Sequence, residues 1–454
     1  MPESLRREEH VIDVPEDERR CPTCLKPFVH IGDERSEQLA FKPSELYVYV
    51  TIRPKYVSDC LCSESRSAIV ESPIRPVDRG VPHVSLLTEI AVCKYADHLP
   101  LARQSRQIFA RAMKDGVISE SSMCRWMGQI ADMLEPLYDL IRVRMLSQCD
   151  VLKMDATTAK YRSPLVKGRH LTGFIWGLVG DQNAPYNYYD FRPNGCRSGP
   201  QEILDVYSRF LQCDAQNIYD TIFAPEPEAD GTSAEPTSEN PGERAVLLTS
   251  NGSGTPTEVG CWAHARRRFV DAQKRDPDAD HFVRQIGRLY KVEKDARNLS
   301  NDQRYATRQV KSVPILDELF AEFRKTIQKR TPKELLFKAI QYALNQEAVL
   351  RRYCADGRLS IDNNECERAL RLTAIGRKLQ LSQPATASEA LFFGAQRGGK
   401  TGAILYTILG SARRHGLNEY EYLYDILVRL SDLSRHAELI GLLPEQWSPV
   451  LERS

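Results

Sequence analysis

At Cys149 the chain changes its hydrophobic period, and that change constrains the fold more than any other feature. Before it, VSLLTEIAVCKYADHLPLARQSRQIFARA and SSMCRWMGQIADMLEPLYDLIRVRML carry apolar residues three and four apart, the spacing of helices buried on one face. After it, CDVLKMD, HLTGFIWGLVG and YNYYDF are short, rich in β-branched and aromatic residues, and separated by Pro, Gly and Asn. This pattern predicts three strands. A helix is expected over PQEILDVYSRFL, followed by a short run, LQCD. Helices return from VGCWAHARRRFVDA to about Arg352 and again over 361–434, ending in a loose tail. Residues 224–257, with APEPEADGTSAEPTSENPGE and NGSGTPTE, are too polar to bury a core and read as a mobile insertion around one strand-like run, AVLLT.

The order β-β-β-α-β-α, then helices, is that of an α/β ribonuclease-H-like core. It is expected over 148–385, with the flexible insertion at 224–257 and a helical insertion at 280–352. Ahead of it come a mobile tail (1–20), a small β-rich metal module (21–64) and a helical segment (83–147). A C-terminal helical segment (386–454) lies beyond it. In the 83–147 segment KDGVISES is a turn whose serines can cap the second helix. As a helix-turn-helix this segment would present Arg125 to a phosphate or a base edge, with Trp126 facing the core; the alternative is a plain helical hairpin.

Composition narrows the function classes. The 454 residues, 42% hydrophobic and 27% charged, suit a soluble protein of about three domains. No run approaches the roughly 18 apolar residues of a membrane span, and MPESLRREEHVIDVPEDERR lacks the apolar core of a signal peptide, so a cytoplasmic protein with no membrane partner is expected. A net charge of +1 gives no bulk attraction to nucleic acid. Any DNA-binding surface must come from local clusters, Arg266–Arg267–Arg268 or Arg368, Arg371, Arg377 and Lys378.

Three carboxylates sit where chemistry can use them. Asp155 ends the apolar run VLKM, Asp214 ends FLQC, and Glu367 lies in the opening turns of a helix in IDNNECERALR. Asp362 can cap that helix, with Glu365 three residues on as in a capping box. Three converging carboxylates repel one another unless cations neutralise them. Hard oxygen ligands with room for water and phosphate favour magnesium or manganese. Two such ions activate a water or a 3′-hydroxyl and stabilise the leaving oxygen of a phosphodiester.

The cysteines divide into two groups. Cys93, Cys124, Cys149, Cys213, Cys261 and Cys354 stand singly in apolar segments and read as reduced, buried side chains. Cys21 and Cys24, two residues apart, make a good half-site for tetrahedral zinc; Cys60 and Cys62 are the partner pair, with a gap of one residue. Four thiolates would leave no open position, so this zinc would be structural. In CWAHARRRF, Trp262 reads as core, and His264 either as a core histidine or as a residue that assists proton transfer or orients phosphate. The three arginines after it read as contacts to a DNA backbone. Gly394 to Thr401, GAQRGGKT, satisfies the phosphate-cradling loop formula, with Lys400 as its lysine. Its context argues for coincidence, because the 53 residues after Thr401 read as helices, with no acidic strand end to hold magnesium.

CPTC, IGDERSEQL, IRPKY, KYADHLPLARQ, CWAHARRRF, DGRLSIDNNECERALR and HGLNEYEYLYDIL occur in that order along nearly the full length. Through them the chain resembles transposases of the insertion sequence 66 family. The resemblance implies a DDE transposase: a zinc-binding module, a helical DNA-binding segment, a ribonuclease-H-like core and a helical C-terminal piece. It implies that Asp155, Asp214 and Glu367 are the catalytic triad and hold two Mg2+ or Mn2+ ions. It also implies cutting and joining of DNA at the transposon ends and in target DNA, as a homo-oligomer on DNA, with accessory proteins of the same element as further partners. Two positions depart from the family pattern. Asp214 is followed by Ala215-Gln216 rather than glycine and an aromatic residue, which leaves Asp220 as an alternative second acid, and the Cys60/Cys62 gap is one residue short. The rival classes are a DNA-binding protein of transposon origin that does not cleave, and a nucleotide-hydrolysing helper using Lys400.

Overall fold

The computed structural model of the chain describes residues 46, 48, 56–57, 67–68, 76–77, 82–110, 118–163, 170–194, 198–205, 207–214, 220–223, 255–378, 395–432 and 436–449. The chain divides into two units, Met1–Val48 and Tyr49–Ser454, and nearly every described residue belongs to the second. Cys21, Cys24, Cys60 and Cys62 lie outside the described residues, as do the tail at 1–20 and the run AVLLT. One antiparallel ladder is described there, pairing Tyr56 and Val57 of the expected β-rich module with Ala68 and Ser67, which lie beyond its expected end.

A five-stranded mixed sheet organises the second unit. Its strands are β1 (Val151–Arg162), β2 (His170–Val179), β3 (Asn187–Arg192), β4 (Phe210–Gln212) and β5 (Thr257–Val259), in the spatial order β3-β2-β1-β4-β5. β1 and β2 form a long antiparallel hairpin, and β2 pairs antiparallel with β3. β1–β4 and β4–β5 are parallel. The three strands expected from the sequence are β1 to β3, and LQCD supplies β4. Thr257 and Glu258, expected at the end of the polar insertion, instead open β5, which at three residues is too short to show a period.

Helices cover the sheet. α1 (Val84–Tyr95) and α2 (Glu120–Gln148) replace the first helical stretch. The continuous pattern from Val84 breaks after Tyr95 because His98 takes a left-handed φ of 58° and Pro100 comes two residues later. A short π-helix, Gln104–Phe109, lies beyond. Ser119 caps α2, accepting from Ser122 N at 3.2 Å. The SSMCRWMGQI segment is thus the start of a 29-residue helix. Trp126 is buried and Arg125 exposed. Cys124 corrects the expectation of uniformly buried cysteines. It is exposed, because the helical period turns Met123, Trp126, Met127 and Ile130 inward and residues 124 and 125 outward.

The helix expected over PQEILDVYSRFL spans only Ser198–Leu204. Asp205, at φ 50°, ends it in the left-handed region, and Phe210 and Leu211 join the sheet instead. After β5 come α3 (Trp262–Gln273), α4 (Asp278–Asp295), α5 (Asn301–Ile327) and α6 (Leu335–Asn345), which with the segment 350–361 bury one apolar cluster. Arg308 of α5 is 1% exposed and pins this bundle. Its guanidinium holds Glu293 through two bonds (2.8 and 2.6 Å) and donates to the carbonyls of Tyr353, Asp356 and Leu359.

α7 (Asn364–Lys378) and α8 (Gln396–Arg414) lie against the sheet, where Cys366, Leu370 and Ala403 pack with Ala159, Tyr161, Ile175, Tyr189 and Phe191. α8 also closes the open edge of β3. Thr407 Oγ1 accepts from Tyr189 N at 2.9 Å, and Ser411 Oγ bonds both the N–H and the carbonyl of Asn187. That satisfies backbone groups that an exposed edge strand would leave for another chain to pair with. α9 (Glu419–Asp432) and a 3-10 helix, His436–Leu442, complete the described chain. The tail expected to be loose is packed as far as it is described. Leu443 is fully buried, Tyr422 Oη donates to Leu442 O at 2.7 Å, and Trp447 Nε1 donates to Asp425 at 2.6 Å.

Candidate functional site

The alternation of β1 sends Lys153, Asp155, Ala159 and Tyr161 to the face on which α7 packs, while Leu152 and Met154 are buried on the other. Asp155 stands opposite Gly177 of β2 and accepts from Ala156 N at 2.8 Å. β4 runs parallel beside β1 and ends just before Cys213, so Asp214 emerges at the neighbouring strand end, 4% exposed.

Glu367 arrives from α7, whose start is fixed by several independent bonds. Asn363 Nδ2 donates to Met154 O (2.8 Å), Asn363 N to Cys261 Sγ (3.2 Å), and Cys366 Sγ to Gly177 O (3.3 Å). Leu370 lies over Gly177, where an added Cβ would meet its side chain at 2.8 Å, so a larger residue there would make Leu370 shift. Asp362 caps the helix by accepting from Asn364 N at 3.2 Å. The capping box expected with Glu365 does not form. Glu365 instead takes Lys153 Nζ and an Arg414 NH2, each at 2.7 Å.

The residue that gathers the site is His264, in the first turn of α3. Trp262 N donates to Ile361 O (3.0 Å) and Trp262 Nε1 to Leu350 O (2.8 Å), which lock that turn; Trp262 is fully buried, in keeping with its sequence context. His264 Nε2 then lies 4.0 Å from Asp214 Oδ2 and 3.6 Å from Glu367 Oε1. Two carboxylates within reach of one nitrogen are well inside the about 10 Å beyond which a pair of ions about 4 Å apart could not be shared. Asp155 belongs to the same group electrostatically. Burial raises its carboxyl first; the Ala156 N–H bond opposes that, Asp214 and Glu367 add to it, Arg267 opposes it, and the result is a pKa of about 7. Glu367 Oε1 is a buried oxygen with no hydrogen-bond donor. Among the described residues no three His, Cys, Asp or Glu side chains converge tightly enough to grip one ion by themselves.

The arginines of CWAHARRRF point in different directions because successive helical residues are about 100° apart. Arg267, one turn after His264, reaches Glu367 Oε2 at 3.9 Å and is 65% exposed. Arg268 stacks on Tyr342, 4.1 Å from the ring centroid, and Arg266 is exposed. Arg368 and Arg371 are exposed on α7. Asp220 opens a short helix, Asp220–Phe223, and its side chain lies outside the described residues. The loop-like GAQRGGKT is helical from Gln396, with Gly399 against the Phe191 ring and Lys400 paired with Glu135. A phosphate-cradling loop is therefore absent over 396–401. A lone histidine carries no spacing signal, so the sequence leaves His264 open between a core histidine and a functional one. Its place beside Asp214 and Glu367, both distant in sequence, sets it within this group.

Comparison with known proteins gives two family matches. Residues 79–389 match the model of a family described as Transposase IS66 family, and residues 18–60 match that of the zinc-finger binding domain of transposase IS66. A Sinorhizobium fredii protein, y4qI, described only as uncharacterized, is 31% identical over 98% of this chain and 76% of its own length. Two more uncharacterized proteins of that organism, y4jD and y4hP, are 30% and 28% identical over 98% of this chain and cover 81% and 76% of theirs.

Proposed function

The chain belongs to the IS66 transposase family, and from that premise we propose that it cuts and joins DNA at the ends of an insertion sequence by metal-dependent phosphodiester hydrolysis and transesterification. The observation that carries this reading is the meeting of Asp214 and Glu367 at His264 Nε2, with Asp155 feeling both carboxylates. The strand order β3-β2-β1-β4-β5, with β2 alone running against the rest, supports a ribonuclease-H-like core.

The donor set suits hard divalent cations. It offers carboxylate oxygens from three separate elements, one of them buried without a donor, and a carboxyl whose pKa is raised by burial and by its like-charged neighbours. Since no three side chains close on one point, Asp155, Asp214 and Glu367 would hold Mg2+ or Mn2+ pairwise, leaving the remaining positions to DNA and water oxygens. When bound, such ions supply activation of the attacking oxygen and stabilisation of the leaving one. The chain's own part is to fix the three acids. β1 and β4 set two of them in register, and Asn363, Cys366 and Gly177 set the third. Arg267, Arg368 and Arg371, exposed beside this face, would neutralise backbone phosphates; Arg266 and Arg268 lie on the same helix as Arg267, and Arg125 is exposed on α2. Cys21, Cys24, Cys60 and Cys62 would hold a structural zinc, a reading supported by the zinc-finger match over 18–60. Two DNA ends must be processed together, so the working form would be a homo-oligomer on DNA, with proteins of the same element as further partners.

The test is strand cleavage of a labelled DNA carrying the element's own terminus, with Mg2+ or Mn2+. Nicking by the wild type, abolished by chelation and by Glu367→Ala, is expected. Tight binding without nicking by either protein would instead indicate a DNA-binding protein that does not cleave.

A further inference from the structure

Lys153 poses a problem for a cation site. It shares a strand face with Asp155 two residues away, a separation of about 6.6 Å along β1. A long ammonium side chain at that distance from three carboxylates is a natural competitor for divalent ions. Yet its side chain is only 13% exposed and is turned away, donating to Glu365 at 2.7 Å and to Ser360 Oγ at 3.0 Å. Glu365 lies two residues before Glu367, on the same helix as the third acid.

We propose that Glu365 is a positioning residue that holds Lys153 off the acidic cluster and thereby keeps Asp155, Asp214 and Glu367 open to divalent cations. The inference rests on the reading of those acids as ion ligands. Packing alone does not require a carboxylate at 365, because Asn363, Cys366 and Leu370 already dock α7 on β1 and β2. The other cation on Glu365, Arg414, has independent partners in Gly180 O (2.8 Å) and Asn187 Oδ1 (3.2 Å), so it stays in place without Glu365. Without that carboxylate Lys153 would keep only neutral partners, the Ser360 hydroxyl and, in Glu365→Gln, the side-chain amide, each far weaker than a carboxylate.

A purely structural clamp would not affect ion binding in the same way. In the full chain, Mn2+ binding measured by electron paramagnetic resonance should weaken roughly tenfold in Glu365→Gln, since a freed ammonium opposes the ions. It should return to the wild-type level in the double variant Lys153→Met, Glu365→Gln, where no ammonium remains. Lys153→Met alone should bind at least as well as wild type, and thermal unfolding of each variant confirms that it is folded. A double variant as weak as Glu365→Gln, or a Glu365→Gln protein indistinguishable from wild type, overturns the proposal. If wild type binds Mn2+ no better than Asp155→Asn, the ion-ligand reading itself fails, and the inference falls with it.

Discussion

Asp155 illustrates the conflict that a site of this kind builds into a protein. Three carboxylates are brought together by backbone that has no alternative course, and burial makes their charge more costly. Replacing one should therefore stabilise the metal-free protein while removing its activity. We expect Asp155→Asn to raise the unfolding free energy by about 1–3 kcal/mol in the presence of a chelator. Mn2+ should raise the melting temperature of wild type but not of this variant. Calorimetry with and without the ion checks both.

Asp356 behaves in the opposite sense. Burial pushes its carboxyl up, but bonds from the Arg358 side chain and backbone N–H, with Arg308 nearby, more than offset that and hold it below its ordinary range. A depressed carboxyl contributes stability above its unfolded value, near pH 4, and loses that contribution as pH falls through the folded value. The stability gap between wild type and Asp356→Asn should be present at neutral pH and close in strong acid. Denaturant unfolding at the two pH values measures it, and a gap that persists in acid would contradict this assignment.

Among the elements, the helical bundle between β5 and α7 depends on one buried ion. Arg308 ties α5 to Glu293 of α4 and to the segment that leads into α7. Arg308→Ala leaves Glu293 uncompensated and removes a bond from each of three carbonyls, and should cost about 3–5 kcal/mol in denaturant unfolding. Arg308→Lys, which cannot form the same fork, should recover only part of that.

How far these elements were legible depended on whether their signal was local. β1 to β3 and the long helices were readable because each spans enough residues to show its period. The helix expected through Leu211 was not, because its end is set by one left-handed residue, Asp205, and by the pull of β4 pairing on Phe210 and Leu211. The break after Tyr95 likewise turns on the φ of His98. Glu365 looked like half of a capping box because Lys153 and Arg414, its actual partners, are 212 and 49 residues away in sequence. Sequence distance also left His264 open between a core and a functional reading, because Asp214 and Glu367, its neighbours, are far from it in the chain. Asp214 and Glu367 were readable as a strand end and a helix start. Asp155, expected at a strand end because the apolar run VLKM stops there, lies inside β1, which pairs with β2 as far as Arg162. The meeting of these acids is a property of the sheet order.

At the scale of the whole molecule, the C-terminal helices belong to the body that carries the site. α8 seals the edge of β3, Arg414 reaches back to Glu365, and the segment after α9 returns to bury Leu442 and Leu443 and to bring Glu445 to the Tyr186 hydroxyl. Leu443→Ala should therefore cost about 2–4 kcal/mol, as a core truncation does, rather than behave as a change in a free tail. Denaturant unfolding distinguishes the two. No helix among the described residues is long and apolar enough to cross a membrane.

Whether Asp155, Asp214 and Glu367 hold divalent ions together is tested most directly by replacing Mg2+ with Fe2+ and letting peroxide and a reductant cut the polypeptide beside the bound metal. The fragments are then located by mass spectrometry. Breaks are expected next to Asp155, Asp214 and Glu367, suppressed by excess Mg2+ and absent from Glu367→Ala. Breaks clustered elsewhere, at Asp220 or Asp362 without these three, or a wild-type pattern unchanged by Glu367→Ala, would contradict a shared ion site at these acids.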